Sequence, residues 1–385
     1  MTFDSSVFLP DDLLARIRER APIHDRENTF PQQDLDELRE AGYLSILVPT
    51  ERGGAGLGLE QAAVLQQRLA TASPATALAI NMHLVWTGVA KVFSDRGVPG
   101  LEFVQDGAVA GDVFAFGISE GGNDLVLFGS DTDAVPAADG GYAFTGTKIF
   151  TSLAPVWTKL GLHGLDTTSP DAPKLVFAFV ERTDAVITSD DWDTLGMRGT
   201  QSRTTRLDGA VAAAEHVVRR IDPGPSPDPI IFGIFSVFEL LLASVYTGIA
   251  RRALDLATST VTKRTSKKTG RSYAQDPDIR WRIADMGLAY DALPPQIAAL
   301  ARDVDARADH GARWFTLLSG TKHRAVTMAK HVVDQAVLAC GGGSYFSSNE
   351  LSRLYRDVLA GMFHPSDPES AHAAAAAALL GPVEG

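Results

Sequence analysis

Apolar and polar positions along the chain follow three patterns in succession. From Asp11 onward the apolar residues recur at helical spacing, in Asp11–Arg20, in Pro31–Ala41 stopped by Gly42, and in Leu59–Ala70. Ser73 followed by Pro74 places an N-cap ahead of a proline at the first helical position. The pair opens SPATALAINMHLVWTGVAKVF, a strongly apolar helix with His83 in its middle. Residues 1–110 therefore read as a helical domain. From about Val113 the period changes to two: Phe114, Phe116 and Ile118 alternate with smaller residues, and Asp139-Gly140-Gly141 gives a hairpin signal between DTDAVPA and YAFTGTKIF. Further short strands are predicted at Lys159–His163, Lys174–Val180 and Thr204–Leu207, so residues 111–222 read as a β-barrel or sandwich.

The third pattern follows a proline-rich boundary, Asp222 to Pro229 (DPGPSPDP). Pro229 to Ala250, PIIFGIFSVFELLLASVYTGIA, is the longest nearly unbroken apolar run and meets the length criterion for a bilayer span. Its composition argues for a core helix instead. Glu239 stands at its centre, Ser244, Tyr246 and Thr247 lie beyond, and the run continues into an amphipathic stretch, GIARRALDLATSTVTKRTS. A second helix is predicted from Asp276-Pro277, a third over about Trp314 to Ala339 stopped by Gly341, and a last one from Asp367-Pro368-Glu369. Four helices with short connections make an antiparallel bundle over 229–385. The fold class is α+β, mostly α.

Composition narrows the function. Lys and Arg number 35 against 47 Asp and Glu, a formal charge of -12 that disfavours nucleic acid and anionic lipid as partners. The single cysteine, Cys340, excludes an intrachain disulfide framework, and MTFDSSVFLPDD has no secretory character, so a cytoplasmic location is expected. Nine scattered histidines without HExxH or paired cysteines give no metal signature, and no GxSxG elbow occurs. The glycines of VPTERGGAGLGL lack both a Walker lysine and the GxGxxG spacing, and read as a tight connection.

The order helical domain, β-barrel, four-helix bundle resembles the acyl-CoA dehydrogenase family of flavoproteins, and five stretches match its motifs in order. They are LREAGYLSILVPTERGGAGLGL, FAFGISEGGND, GYAFTGTKIFTS, LGMRGTQSRTTRLDGAVAAAEHVV and ACGGGSYFSSNELSRLYRD. The resemblance implies FAD, or FMN in an oxygenase, held between barrel and bundle and completed by a neighbouring subunit of a homotetramer or dimer. It places Phe116, Ile118 and Ser119 along the flavin, Asn123 nearer the phosphates and Phe150 against the ring. Ser152 would donate to the N5 or O4 edge, Arg264 would reach the pyrophosphate of the partner's FAD, and Gly341 and Gly342 would let backbone approach it.

The carboxyl end departs from the family. Where its dehydrogenases carry a catalytic glutamate, the aligned text is GMFHPSDPES, with Pro365 in that place and His364 before it. Other members carry the base on the first bundle helix, and Glu239 falls one residue from that position. Facing the cleft it would have a raised pKa suited to proton abstraction; facing elsewhere it needs a buried partner such as an arginine. The first function implied is α,β-dehydrogenation of an acyl thioester, with His364 or Glu239 as base and an electron-transfer protein as acceptor. A second is monooxygenation with oxygen and a flavin reductase, in which His83 and Ser119 would serve the substrate. A third is an inactive flavoprotein scaffold.

Overall fold

A computed structural model describes residues 3–381. Its first helices are α1 (Asp11–Glu27), α2 (Gln32–Glu40), α3 (Leu59–Ala70), α4 (Pro74–Asp95) and α5 (Glu102–Ala110). Local chemistry sets their ends: Ser73 Oγ accepts from Thr76 N at 3.3 Å at the start of α4, and Asn28, left-handed at φ 54°, closes α1.

The strands are β1 (Phe114–Gly117), β2 (Asp133–Pro136), β3 (Tyr142–Thr151), β4 (Lys159–Asp166), β5 (Lys174–Glu181), β6 (Val186–Thr188), β7 (Arg203–Ala212) and β8 (Val217–Ile221). They form one sheet in the order β6-β7-β3-β2-β4-β5-β8, with β1 parallel to β4. The ladder expected as a barrel is thus open at β6 and β8. Helix α4 docks on it through Trp86, whose Nε1 donates to Ala115 O at 2.9 Å and whose ring meets Phe179 edge-on at 4.6 Å. Gly161 makes room, because a Cβ there would lie 2.3 Å from the indole.

Helix α6 (Pro229–Lys263) begins at Asp228, whose carboxylate caps Ile230 N, and is the axis of the molecule. Helices α3 and α4 pack on one side of it and α9 (Arg313–Cys340) on the other. Gly248 lets α3 approach backbone to backbone, since a Cβ there would meet Gln67 O at 2.4 Å. The apolar window of α6 is 89% buried inside the protein, which identifies it as a core helix. The remaining helices are α7 (Pro277–Asp291), α8 (Leu293–Asp305), α10 (Glu350–Val358) and α11 (Pro368–Leu380). Two differ from the sequence reading. The helix opened by Asp276 breaks at Ala292, because Pro294 and Pro295 lack the amides that would continue its ladder. Helix α10 is an extra element, capped by Asn349, with Leu351, Leu354 and Val358 on its buried face.

Candidate active site

The end of β3 is the most irregular backbone in the sheet. A register shift between Lys148 and Thr151 breaks its pairing with β7, and Phe150 and Leu153 take left-handed conformations at φ 57° and 65°. Across from them Met197 and Gln201 do the same at φ 53° and 45°. The two segments are tied by Leu153 N to Thr200 O at 3.2 Å and Ala154 N to Gln201 O at 3.3 Å. Four strained non-glycine residues in facing segments mark a site whose conformation the surrounding fold imposes. The bulge turns Phe150 outward. It is 55% exposed beside Trp192, with ring centroids 6.2 Å apart, while Ser152 two residues on is buried with Oγ 2.7 Å from Ser202 Oγ.

Phe116, Ile118 and Ser119 come to the same end of the sheet. Ser119 O accepts from Ile149 N at 2.9 Å, and Phe116 stacks on Phe238 of α6 at 5.5 Å. Asn123 is committed elsewhere: its amide donates to Glu120 Oε2 and Gly129 O, and its Oδ1 accepts from Leu125 N. It shapes the loop after β1 and has no polar atom left over for a phosphate.

That loop rests on a buried charge pair the sequence reading missed. Lys148 Nζ lies 2.6 Å from Glu120 Oε1 and 2.8 Å from His163 O, with both charged side chains essentially inaccessible. Burial opposes ionisation of Glu120, but the ammonium and the donors of Thr132 and Asp131 outweigh it and hold the carboxyl well below its usual range. Burial pushes Lys148 down to about 8. The alternation of β3, which points Lys148 inward with Phe144, was the available signal.

His83 does not reach the site, and its assignment to substrate is corrected. It is fully buried between α4 and β1: Nε2 lies 2.7 Å from Leu44 O, Nδ1 accepts from Phe114 N at 3.2 Å, and burial lowers its pKa to about 4. Both ring nitrogens are spent on backbone, so it is a core residue joining helical domain to sheet.

The carboxyl-terminal candidates meet between α6, α9 and the loop at 361–366. Phe238 stacks on Phe116, while Glu239, one position on, is buried and its Oε1 accepts from Ser366 Oγ at 2.5 Å. Oε2 has no partner among the described residues, and burial raises the carboxyl's pKa. Its buried partner is the Ser366 hydroxyl, with the Lys322 charge nearby. Lys322 Nζ, lowered by burial, donates to the carbonyls of Gly361, His364 and Ser366 at 3.0 to 3.2 Å and so holds the whole loop. His364 Nε2 lies 2.9 Å from the Tyr246 hydroxyl. Burial, with the Lys322 charge adding to it, lowers the imidazole to about 3. Arg264, Gly341 and Gly342 form a third cluster at the far ends of α6 and α9. Arg264 Nη1 donates to Cys340 O at 2.9 Å, its guanidinium covers Tyr273, and Gly341 is left-handed at φ 74°.

An exposed aromatic ring on a strained bulge, a buried hydroxyl beside it and an apolar wall from Phe116 and Phe238 fit a planar conjugated ring system. The donors of the third cluster fit an anion. No group of three or more acidic, histidine or cysteine side chains able to hold a metal occurs among the described residues.

The N-terminal domain model of the acyl-CoA dehydrogenases matches residues 13–94, and the C-terminal domain model matches residues 240–366. The chain belongs to the acyl-CoA dehydrogenase family and is a flavin-dependent oxidoreductase of that fold. Within the family, it is 28% identical over 371 residues to an L-evernosamine nitrososynthase from a Micromonospora species, covering 91% of this chain and 85% of that protein. The solved structure of KijD3 in complex with FMN and dTDP-3-amino-2,3,6-trideoxy-4-keto-3-methyl-D-glucose superimposes with a TM-score of 0.87 at 27% identity, covering 100% of this chain and 95% of that one. Cyclohex-1-ene-1-carbonyl-CoA dehydrogenase from Syntrophus aciditrophicus is 27% identical over 350 residues, 89% of this chain and 81% of that protein.

Proposed function

We propose that this protein is a flavin-dependent monooxygenase acting on the amine of a small polar substrate, an amino sugar or a nucleotide-linked one. The observation that carries this reading is that the loop where the family's dehydrogenases carry their glutamate has no carboxylate here. Residues 361–366 contain no carboxylate, the buried Glu239 accepts from Ser366 Oγ with its carboxyl raised to about 7 by burial, and burial with the Lys322 charge lowers His364 to about 3. Removing the α-proton of a thioester calls for a base poised near neutrality, a condition His364 does not meet. Oxygen transfer to an amine requires no carbon acid to be deprotonated, because the lone pair of the neutral amine is the nucleophile.

The balance is R–NH2 + O2 + NAD(P)H + H+ giving R–NHOH + H2O + NAD(P)+, with electrons delivered by a separate flavin reductase. The flavin, FMN or FAD, supplies the two-electron activation of oxygen. The chain's part would be to hold the ring against Phe150 and the Phe116–Phe238 wall and to exclude water. The likeness to the nitrososynthase and to the sugar-bound KijD3 supports an amino sugar as substrate class. Dehydrogenation of an acyl thioester remains the second reading, supported by the Syntrophus relative and by a Glu239 whose pKa is raised.

Beside the Gly341 turn, Tyr345 is 91% exposed and Phe346 69%, which supports a homodimer or homotetramer that covers them. For the reaction, the protein is loaded with FMN or FAD and supplied with a flavin reductase, NADPH, labelled dioxygen and a panel of amino sugars and their dTDP conjugates. One labelled oxygen in a hydroxylamine product is expected. Flavin uptake with no labelled product from any amine would overturn the proposal.

A further inference from the structure

We infer that the hydroxyl of Ser152 faces the flavin as a hydrogen-bond acceptor, because a three-hydroxyl relay behind it has a fixed polarity. This rests on the reading of the β3 bulge as the flavin site, and it reverses the donor role that the family resemblance implied for Ser152.

The relay runs from Ser152 Oγ to Ser202 Oγ at 2.7 Å, from Ser202 Oγ to Thr200 Oγ1 at 2.7 Å, and from Thr200 Oγ1 to Met197 O at 2.9 Å. All three side chains are buried. The end of the chain sets the direction, because a carbonyl oxygen only accepts. Thr200 must therefore donate its single proton to Met197 O, since two acceptors 2.9 Å apart without a proton between them would repel. Thr200 Oγ1 then accepts from Ser202, and Ser202, having spent its own proton, accepts from Ser152. Ser152 has no proton left for anything outside the relay. Toward the ring edge it offers a lone pair, which suits the N5–H of a reduced flavin and meets the N5 lone pair of an oxidised one unfavourably.

The strained backbone makes this polarity structural. Met197 is left-handed, which aims its carbonyl back at Thr200, and Met197 N is held by Asp357 Oδ1 at 2.6 Å. A site that accepts from N5–H favours the reduced cofactor, the form that must meet oxygen in a monooxygenase. Ser202 and Thr200 act through Ser152 and are positioning residues.

The test is the two-electron midpoint potential of the FMN- or FAD-loaded protein, measured anaerobically by dye equilibration, in wild type, Ser152→Ala, Ser202→Ala, Thr200→Val and Thr200→Ser. Removing the last hydroxyl in Thr200→Val, or the middle hydroxyl in Ser202→Ala, frees the Ser152 proton to donate to the oxidised ring. The ratio of affinities for reduced over oxidised flavin should fall about tenfold, one net hydrogen bond, which is about 30 mV lower potential for a two-electron couple. Thr200→Ser keeps the hydroxyl and should sit at the wild-type value, and Ser152→Ala should also fall. Potentials for Thr200→Val and Ser202→Ala equal to or above wild type, with flavin bound, would overturn the relay while leaving the flavin site standing. Protein that takes up neither FMN nor FAD would overturn the site reading and the relay with it.

Discussion

Replacing Lys148 by methionine isolates the buried charge pair under the flavin loop. The substitution keeps the length of the side chain and removes an ammonium that touches Glu120, His163 and Ser130 from a fully buried position. The two partners give opposite signals about the pair. The depressed Glu120 says that ionised carboxylate is stabilised by the fold, and the depressed Lys148 says that burying its charge is costly. For loss of the lysine the Glu120 direction governs, since its charge is the one left behind. Breaking a buried pair from one side costs about 3 to 5 kcal/mol. Here the low end applies, because Asn123, Ser130, Asp131 and Thr132 still donate to the carboxylate. A carboxyl whose folded pKa lies below its ordinary 4.5 contributes stability that is complete above that value and is lost as the pH falls toward the folded pKa. The deficit of Lys148→Met should therefore be about 3 kcal/mol at pH 7 and shrink below about pH 4.5. Urea unfolding followed by circular dichroism reads both. The double variant with Glu120→Gln should recover much of the loss. A deficit under about 1 kcal/mol, or one unchanged between pH 7 and pH 4, would refute the reasoning.

Other perturbations follow from the same contacts. Lys322→Met removes the positive charge that adds to burial in lowering His364, so the imidazole should titrate higher than in wild type, measurable by NMR of the ring protons. Unchanged titration would remove Lys322 from the electrostatics of that loop. Gly161→Ala forces a methyl into the Trp86 indole and should cost about 1–3 kcal/mol in unfolding experiments, against near neutrality if α4 can retreat. Arg356→Ala breaks a two-bond pairing with Asp25 that ties α10 to α1, at 2.8 and 2.5 Å. It should raise the protease sensitivity of the first helix, with a loss of about 1–2 kcal/mol that is smaller in high salt.

Much of the fold was legible because its punctuation is local. Ser73, Asp228, Asp276 and Asp367 each precede a proline, and each caps its helix through an amide two or three residues on. The motifs at FAFGIS and FTS were legible as a matched order, and the structure brings Phe116, Ser119, Phe150 and Ser152 to one end of the sheet. What escaped the sequence depends on partners far along the chain or on a single register step. Lys148 and Glu120 are 28 residues apart and look like two unrelated surface charges. The direction of Glu239 turned on one position of a helix apolar on every side, where periodicity has no polar face to read. The relay behind Ser152 depends on left-handed backbone at Met197 and Gln201, which neither residue type prefers and only the tertiary contact enforces. His83 sat in a plausible place for substrate, and only its two backbone partners revealed it as core.

The central claim, oxygenation rather than dehydrogenation, is tested most directly by the visible spectrum of the flavin-loaded protein, titrated without oxygen against short, branched and aromatic acyl-CoAs. The account predicts a flavin band that no thioester bleaches, that a reductase with NADPH does bleach, and that returns when oxygen is admitted. Bleaching by an acyl-CoA alone, lost in Glu239→Gln or His364→Ala, would contradict it and restore the dehydrogenase.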